Sequence, residues 1–270
     1  MIHIITNHHK TGKWLNLQSA YLNAFTEEPY QVYCGITEIN PSTMVEEYNL
    51  RLTKYKVVDI SSLPNYHYVK MNALVKFVDN AEDDDILMFL DPDALPIQPN
   101  WNKKIEEYLM STPIVAISRE ENIEPLLRDD QRPYPHPCFL ATTVGFWKEN
   151  ELSWELDPAQ GASCAGVLLK KWLDENGHEW RRLLRTNCFN LHPLNFGVYD
   201  DLIYHHGSGN RPVYDSIDIW QRPGLAAKYG VSLDLHFPEL LEFNGQLSEL
   251  VFHHLHRDAR FVRRYFCGYE

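Results

Sequence analysis

Asp85-Ile86-Leu87-Met88-Phe89-Leu90-Asp91-Pro92-Asp93-Ala94-Leu95-Pro96-Ile97 is the stretch whose reading decides the fold. An unbroken apolar run, Ile86 to Leu90, lies between an acidic cluster and an Asp-Pro-Asp turn, which is the pattern of a short strand buried on both faces. Pro92 turns the chain, so Asp91 and Asp93 can aim their oxygens at one point. Two converging carboxylates repel unless a cation lies between them. Hard oxygen ligands on a loop suit Mg²⁺ or Mn²⁺, which complete their shells with water and substrate phosphates.

Upstream of this strand the chain alternates between two periodicities. Ile2 to Thr6 reads as a strand followed by a polar turn, Asn7 to Gly12, in which His8 and His9 are expected to be solvated. A helical pattern follows in Trp14, Leu15, Leu17, Tyr21, Leu22 and Phe25, then strands over 30–36 and 55–60 with a helix expected over 44–50 between them. Residues 67–78 are again amphipathic at helical spacing. Strands alternating with helices imply βαβ units and a mainly parallel α/β sheet, whose ligands sit at the carboxyl ends of the strands. That rule places Thr6, Asn7, Gly35 and the two aspartates along one rim, with Lys70 and Asn72 on the neighbouring helix as candidate contacts to a phosphate or base.

Downstream, a helix is expected over 101–110, a strand over 113–118, a polar loop over 119–131 and a strand over 138–144. Phe146, Trp147 and Trp154 lie among Glu149, Glu151 and Glu155. Aromatic faces with carboxylates suit a sugar acceptor, although core packing explains any one of these rings as well. Asp157 precedes Pro158 at the start of a helical pattern, so it is either an N-cap or a general base, with Glu155 second for the latter role. Then comes Tyr204-His205-His206-Gly207-Ser208-Gly209-Asn210-Arg211-Pro212, a strand delivering histidine to a glycine-containing loop. Histidine can complete a metal shell begun by carboxylates, Gly209 permits close backbone approach to a phosphate, and Arg211 can neutralise it.

Composition bounds the function. The net charge of −12 argues against nucleic-acid binding, and the five scattered cysteines form no CxxC pair. Neither a secretory signal nor a membrane span is legible, so a cytoplasmic protein is expected. The last segment reads as one helix or two. It carries Arg257, Arg260, Arg263 and Arg264, which suit a solvated face, an anionic membrane surface or self-association.

Taken together, these motifs resemble the nucleotide-sugar-dependent glycosyltransferases of the GT-A fold. The resemblance rests on the N-terminal strand–helix repeats, Asp91-Pro92-Asp93 after its strand, and the late histidine loop, which looks like that of the glycogenin-like transferases. It implies a GT-A-like (Rossmann-like) catalytic domain over 1–215, with a nucleotide-binding half (1–97) and an acceptor-side half (98–215), and a mainly helical extension over 216–270. It implies Mn²⁺ or Mg²⁺ held by Asp91, Asp93 and one of His205 and His206, with Asp91 also near the ribose. The implied donor is a nucleotide-diphosphate sugar, UDP in preference to GDP. The implied reaction is hexosyl or related transfer (EC 2.4) to a hydroxyl on a glycan, lipid-linked or small-molecule acceptor.

The histidine loop departs from the glycogenin pattern by one residue before Arg211, and Arg stands where those enzymes carry Lys. Retaining stereochemistry therefore does not carry over. Two other readings stay open. A haloacid-dehalogenase-like phosphatase would use Asp91 as nucleophile, with Ser118, Lys170 or Lys171, and Asp200-Asp201 in support. A transferase-like scaffold would instead bind a sugar nucleotide or glycan without turning it over.

Overall fold

The computed structural model describes residues 1–10, 12–40, 54–118, 133–156, 165–192, 195–207 and 237–269, the side chains of 237–241 and 243–244 excepted. The first half builds strands β1 (Ile2–His9), β2 (Tyr30–Thr37), β3 (Tyr55–Asp59) and β4 (Ile86–Leu90), with helices α1 (Lys13–Phe25) and α2 (His67–Val75) between them. A short strand β5 (Ala94–Pro96), helix α3 (Trp101–Leu109), strands β6 (Ile114–Ser118) and β7 (Pro135–Thr143), and helices α4 (Val144–Glu149) and α5 (Val167–Glu175) follow. The chain then forms β8 (Arg181–Leu183), β9 (Gly197–Tyr199), β10 (Ile203–His205), α6 (Phe237–Arg257) and α7 (Phe261–Phe266).

The main sheet has seven strands in the order β3-β2-β1-β4-β7-β6-β8. β1 pairs in parallel with β2 and β4, and β2 with β3, whereas β7 runs antiparallel to both β4 and β6. The expected mainly parallel sheet is therefore present, and β7 marks where its direction reverses. β4 is buried along its whole length, as its apolar run requires. Side-chain alternation divides the core between two faces. Ile4, Val32, Met88 and Leu90 pack with Leu15 and Leu22 of α1, and Ile5, Tyr33, Leu87 and Phe89 pack with Met71 and Leu74 of α2.

A second, antiparallel sheet has the order β5-β10-β9. The β9–β10 turn runs through Asp200 and Asp201, both left-handed (φ 47° and 55°), with Leu202 N–H donating to Tyr199 O at 2.9 Å. Aspartate tolerates that conformation, and such a turn matches the twist of the strands it joins. The other side of α1, with Trp14, Leu17 and Tyr21, is covered by this small sheet through Leu95, Val198 and Tyr204 and by α6 and α7 through Val251, Leu255 and Phe266. α1 is thus buried on both sides and carries the fixed geometry of the region around Asp91. No helix among the described residues is long and apolar enough to cross a membrane.

Several expectations are corrected here. β1 continues through Asn7, His8 and His9, and His8 is fully buried rather than in a solvated turn. Trp147 and Trp154 are core residues, 4% and 1% exposed, packed on Phe89 at 4.7 and 5.2 Å, so they do not form an acceptor wall. Phe146 packs against Trp172 and His178. The apolar area gained by seating these rings behind β4 exceeds what an exposed wall would retain. The expected helix over 44–50 and loop over 119–131 lie outside the described residues.

Candidate metal centre and nucleotide rim

The loop after β4 is held from three directions. Asp91 N–H donates to Cys138 O of β7 at 3.0 Å, Ala94 N–H closes the turn onto Asp91 O at 2.9 Å, and His206 N–H donates to Asp93 O at 3.0 Å. Antiparallel pairing then sets His205 opposite Ala94, the residue that follows Asp93. A strand pair thereby brings together carboxylates and imidazole from distant parts of the chain. His205 Nε2 lies 3.8 Å from Asp91 Oδ2 and 3.6 Å from Asp93 Oδ1.

Those separations exceed a hydrogen bond. They match two ligand atoms that share one small cation at about 2.1 Å from each. One ligand atom from each of Asp91, Asp93 and His205 falls within 4.8 Å of the others. Asp91 Oδ1 is a buried oxygen without a hydrogen-bond partner; His67 Nε2 stands 3.4 Å away, outside hydrogen-bond geometry. Burial acts to lower the His205 pKa, but the neighbouring Cys138 and Asp93 outweigh it and hold it well above the ordinary value. A positive charge between the carboxylates is what this arrangement favours, and the oxygen–nitrogen donor set fits Mn²⁺ or Mg²⁺.

His206 faces the other way, as alternation along an extended segment dictates. Its Nδ1 lies 2.9 Å from Tyr204 Oη and its Nε2 2.8 Å from Ser248 Oγ, while the ring packs 4.6 Å from Trp14. Both nitrogens are engaged away from the aspartates, so His206 is placed as a core residue. Burial pushes its pKa down to about 3, with Asp93 opposing the shift. Gly207 follows with φ +75°, and a Cβ there would meet Asn195 Oδ1 at 2.7 Å, so only glycine turns the chain at this point.

Thr6 and Asn7 extend β1 beyond its last pair with β4, Ile5 with Phe89, towards the level of Asp91. Thr6 Oγ1 lies 3.5 Å from His8 Nε2, and His8 also meets Gln18, whereas Asn7 Oδ1, His9 Nδ1 and Thr37 Oγ1 are buried without partners. A row of unsatisfied polar atoms at strand ends is costly unless something binds there. Lys70 is 1% exposed and donates to Asn65 Oδ1 at 2.7 Å. Burial lowers its pKa, Glu38 opposes that, and the Lys70 charge contributes in turn to the depressed pKa of His9. A cation is thus kept near the ends of β1 and β2.

Other expected site residues are placed differently. Gly35 makes room for packing: a Cβ there would meet Ile60 Cδ1 at 2.6 Å and Leu74 Cδ1 at 2.8 Å, so it lies under α2 and not on the open rim. Asn72 is spent on the backbone of Trp154, donating to its oxygen at 3.2 Å and accepting from its N–H at 2.8 Å. Glu155, the next residue, is exposed. Asp157, Gly209 and Arg211 lie outside the described residues.

Two contributors escaped the sequence reading. His67 touches Asp91 only because α2 begins beside the end of β4, and no local pattern announces that. Gln18, fully buried beneath the aspartate loop, was legible in principle. It is a polar residue spaced i+4 from Trp14 and i−4 from Leu22, on a helix buried on both sides.

This arrangement is a GT-A-like (Rossmann-like) fold: a Rossmann-like half-sheet, an acidic pair at the end of its central strand and a small second sheet beside it. Among solved structures the chain is similar to the mannosyltransferase PcManGT from Pyrobaculum calidifontis, in complex with GDP-Man and Mn²⁺. The TM-score is 0.50 at 11% identity, over 67% of this chain and 54% of that one. It is also similar to the galactosyltransferase LgtC in complex with donor and acceptor sugar analogs (TM-score 0.40, 13% identity, 64% of each chain). A third similarity is to S. aureus TarS in complex with UDP-GlcNAc (TM-score 0.42, 14% identity, 57% of this chain and 48% of that one). The matched region spans about half the length of PcManGT. No protein-family model and no curated protein matches the sequence.

Proposed function

We propose that this chain is a metal-dependent glycosyltransferase that moves a sugar from a nucleoside-diphosphate sugar to a hydroxyl acceptor. The observation that carries the reading is the convergence of Asp91, Asp93 and His205 at the strand-end rim, beside a row of buried, unsatisfied polar atoms. Asp91, Asp93 and His205 are the residues that would hold a divalent cation. When bound, such an ion supplies the positive charge that stabilises the diphosphate leaving group as the glycosidic bond breaks.

The chain's own groups have separate tasks in this reading. Asn7, His9 and Thr37 supply hydrogen-bonding atoms for the nucleotide, and Thr6 and His8 back them from within the core. Lys70 presents a buried cation to an anionic donor, where low dielectric strengthens the attraction. Glu155 is held on the flank of α2 because Asn72 pins the backbone of Trp154. With Asp157 it is the candidate base for an inverting reaction; a retaining reaction would not need it. GDP and UDP both remain eligible nucleotides, since the solved structures similar in fold include one bound to each.

The phosphatase alternative loses its supporting set. Ser118 is buried, Lys170 pairs with Asp174 and Lys171 with Glu175 along α5, and Asp200-Asp201 form the β9–β10 turn. The test is nucleotide release from UDP-, GDP-, CMP- and dTDP-sugars with and without Mn²⁺, in the wild type and in Asp93→Asn. Metal-dependent release from one nucleotide class, lost in the variant, supports the proposal. No release from any of them, with hydrolysis of phosphomonoesters instead, would overturn it.

A further inference from the structure

Gln18 is an amide with no solvent contact, set on a helix otherwise dedicated to packing. Its Nε2 donates to Asp91 O at 2.8 Å, Ala94 O at 3.2 Å and Pro92 O at 3.3 Å. The remaining carbonyl of this turn, Asp93 O, is taken by the His206 N–H at 3.0 Å. Every carbonyl from Asp91 to Ala94 is therefore claimed from outside the turn, three of them by one side chain. The amide orientation follows from its surroundings, because exchanging Nε2 and Oε1 would set an oxygen against three carbonyl oxygens.

This donor faces the backbone of the turn while the two carboxylates project from the turn towards His205. The separation of the Asp91 and Asp93 oxygens depends on the peptide planes at Asp91, Pro92 and Asp93, which are the planes these hydrogen bonds hold. Pro92 limits one dihedral but donates no hydrogen bond of its own, so the turn needs an external brace. The other end of the amide meets His8, whose pKa the contact with Gln18 raises. A residue retained only to fill space would be apolar here, since burying an amide is costly unless its polar groups are paired.

From this geometry we infer that Gln18 is a positioning residue: it braces the Asp91–Ala94 turn so that the two carboxylates stand at the spacing a divalent cation requires. The inference rests on the metal site proposed above and deepens it. Gln18 touches neither the ion nor the substrate and acts through the backbone of the residues that do. Its removal should therefore weaken metal binding without removing a ligand, and should alter the symmetry of the bound ion's shell.

The experiment is a titration with Mn²⁺ alone, and again with GDP or UDP, read by electron paramagnetic resonance in the full chain. Gln18→Leu is expected to fold and to bind Mn²⁺ at least about tenfold more weakly, with an altered spectrum of the bound ion. Tyr21→Phe on the same helix loses only a hydrogen bond to Leu255 O and is expected to bind as the wild type does. If Gln18→Leu does not fold, the wild type decides. In that case the Gln18 side-chain amide resonances are followed during a Mg²⁺ titration, and they are expected to shift and to gain protection from exchange. Mn²⁺ affinity and spectrum unchanged in a folded Gln18→Leu overturn the inference, as do amide resonances that ignore Mg²⁺. A wild type that binds no divalent ion overturns the metal site itself and the inference with it, an outcome distinct from either of these.

Discussion

Acidifying the metal-free protein from about pH 7.5 to about pH 5.5 is expected to destabilise it through histidines that the fold keeps neutral. Burial is the principal cause in all three: His8 is pushed down to about 4, and His192 and His206 each to about 3. Arg185 adds to the effect at His192, while Gln18 and then Asp93 oppose it at His8 and Asp93 opposes it at His206. Each folded-state value lies below the ordinary 6.5, so the unfolded chain takes up protons first. Stability present above about pH 6.5 is then lost as pH falls towards the folded values, at about 1.4 kcal/mol per unit for each group.

Over this window each of the three costs on the order of 1 kcal/mol. His205 works in the opposite direction: its raised pKa gives stability that is fully present below about 6.5 and lost at higher pH, so acidification partly offsets the loss. His9 and His256, whose pKa values are also lowered, add to the loss, so a net destabilisation is expected on acidification. Urea unfolding in the presence of a chelator, at half-unit pH steps, measures it. A His206→Gln variant, whatever its own baseline, should show a slope shallower by about half a proton on average over this window, approaching one near pH 5.5. Stability that is flat or rises between pH 7.5 and 5.5 would refute the assignment of these histidines as neutral buried groups.

Two further substitutions test packing apart from chemistry. Asn72→Ala removes both hydrogen bonds to the Trp154 backbone and should cost about 2 kcal/mol in chemical denaturation while leaving Mn²⁺ affinity unchanged. A lost metal response with little change in stability would show that Asn72 serves the ligand instead. Gly35→Ala should destabilise by about 1–3 kcal/mol, because the added methyl meets Ile60 and Leu74. A neutral result would mean that α2 shifts freely and that the glycine is not a packing requirement.

Much of this architecture was legible before any coordinates. The boundaries of β4 were readable because an unbroken apolar run ends in charge at both sides, and the helix pattern from Trp14 to Phe25 because its apolar spacing is regular. β1 was read too short because His8 and His9 look like turn residues, and only tertiary burial makes a strand of them. The role proposed for the tryptophans failed for a related reason: an aromatic beside glutamates has the same sequence signature whether the ring faces a sugar or lies behind β4. At His205-His206 the sequence offered two candidates, and the choice depends on the register of β10 against β5, a pairing between segments far apart in the chain. His67 and Gln18 reach the aspartate turn through contacts of the same kind. Such contacts leave little or no mark on local periodicity.

The central claim is that Asp91, Asp93 and His205 form a metal centre for a nucleoside-diphosphate sugar. Calorimetric titration of Mn²⁺ in the presence of UDP or GDP tests it most directly, using the wild type, Asp93→Asn, His205→Gln and His206→Gln, each first shown to be folded. Saturable binding by the wild type is expected, with at least about a tenfold loss (1.4 kcal/mol) in Asp93→Asn and His205→Gln and retention in His206→Gln. Binding that depends on His206 and not on His205, or a wild type that takes up no Mn²⁺ with either nucleotide, would contradict it.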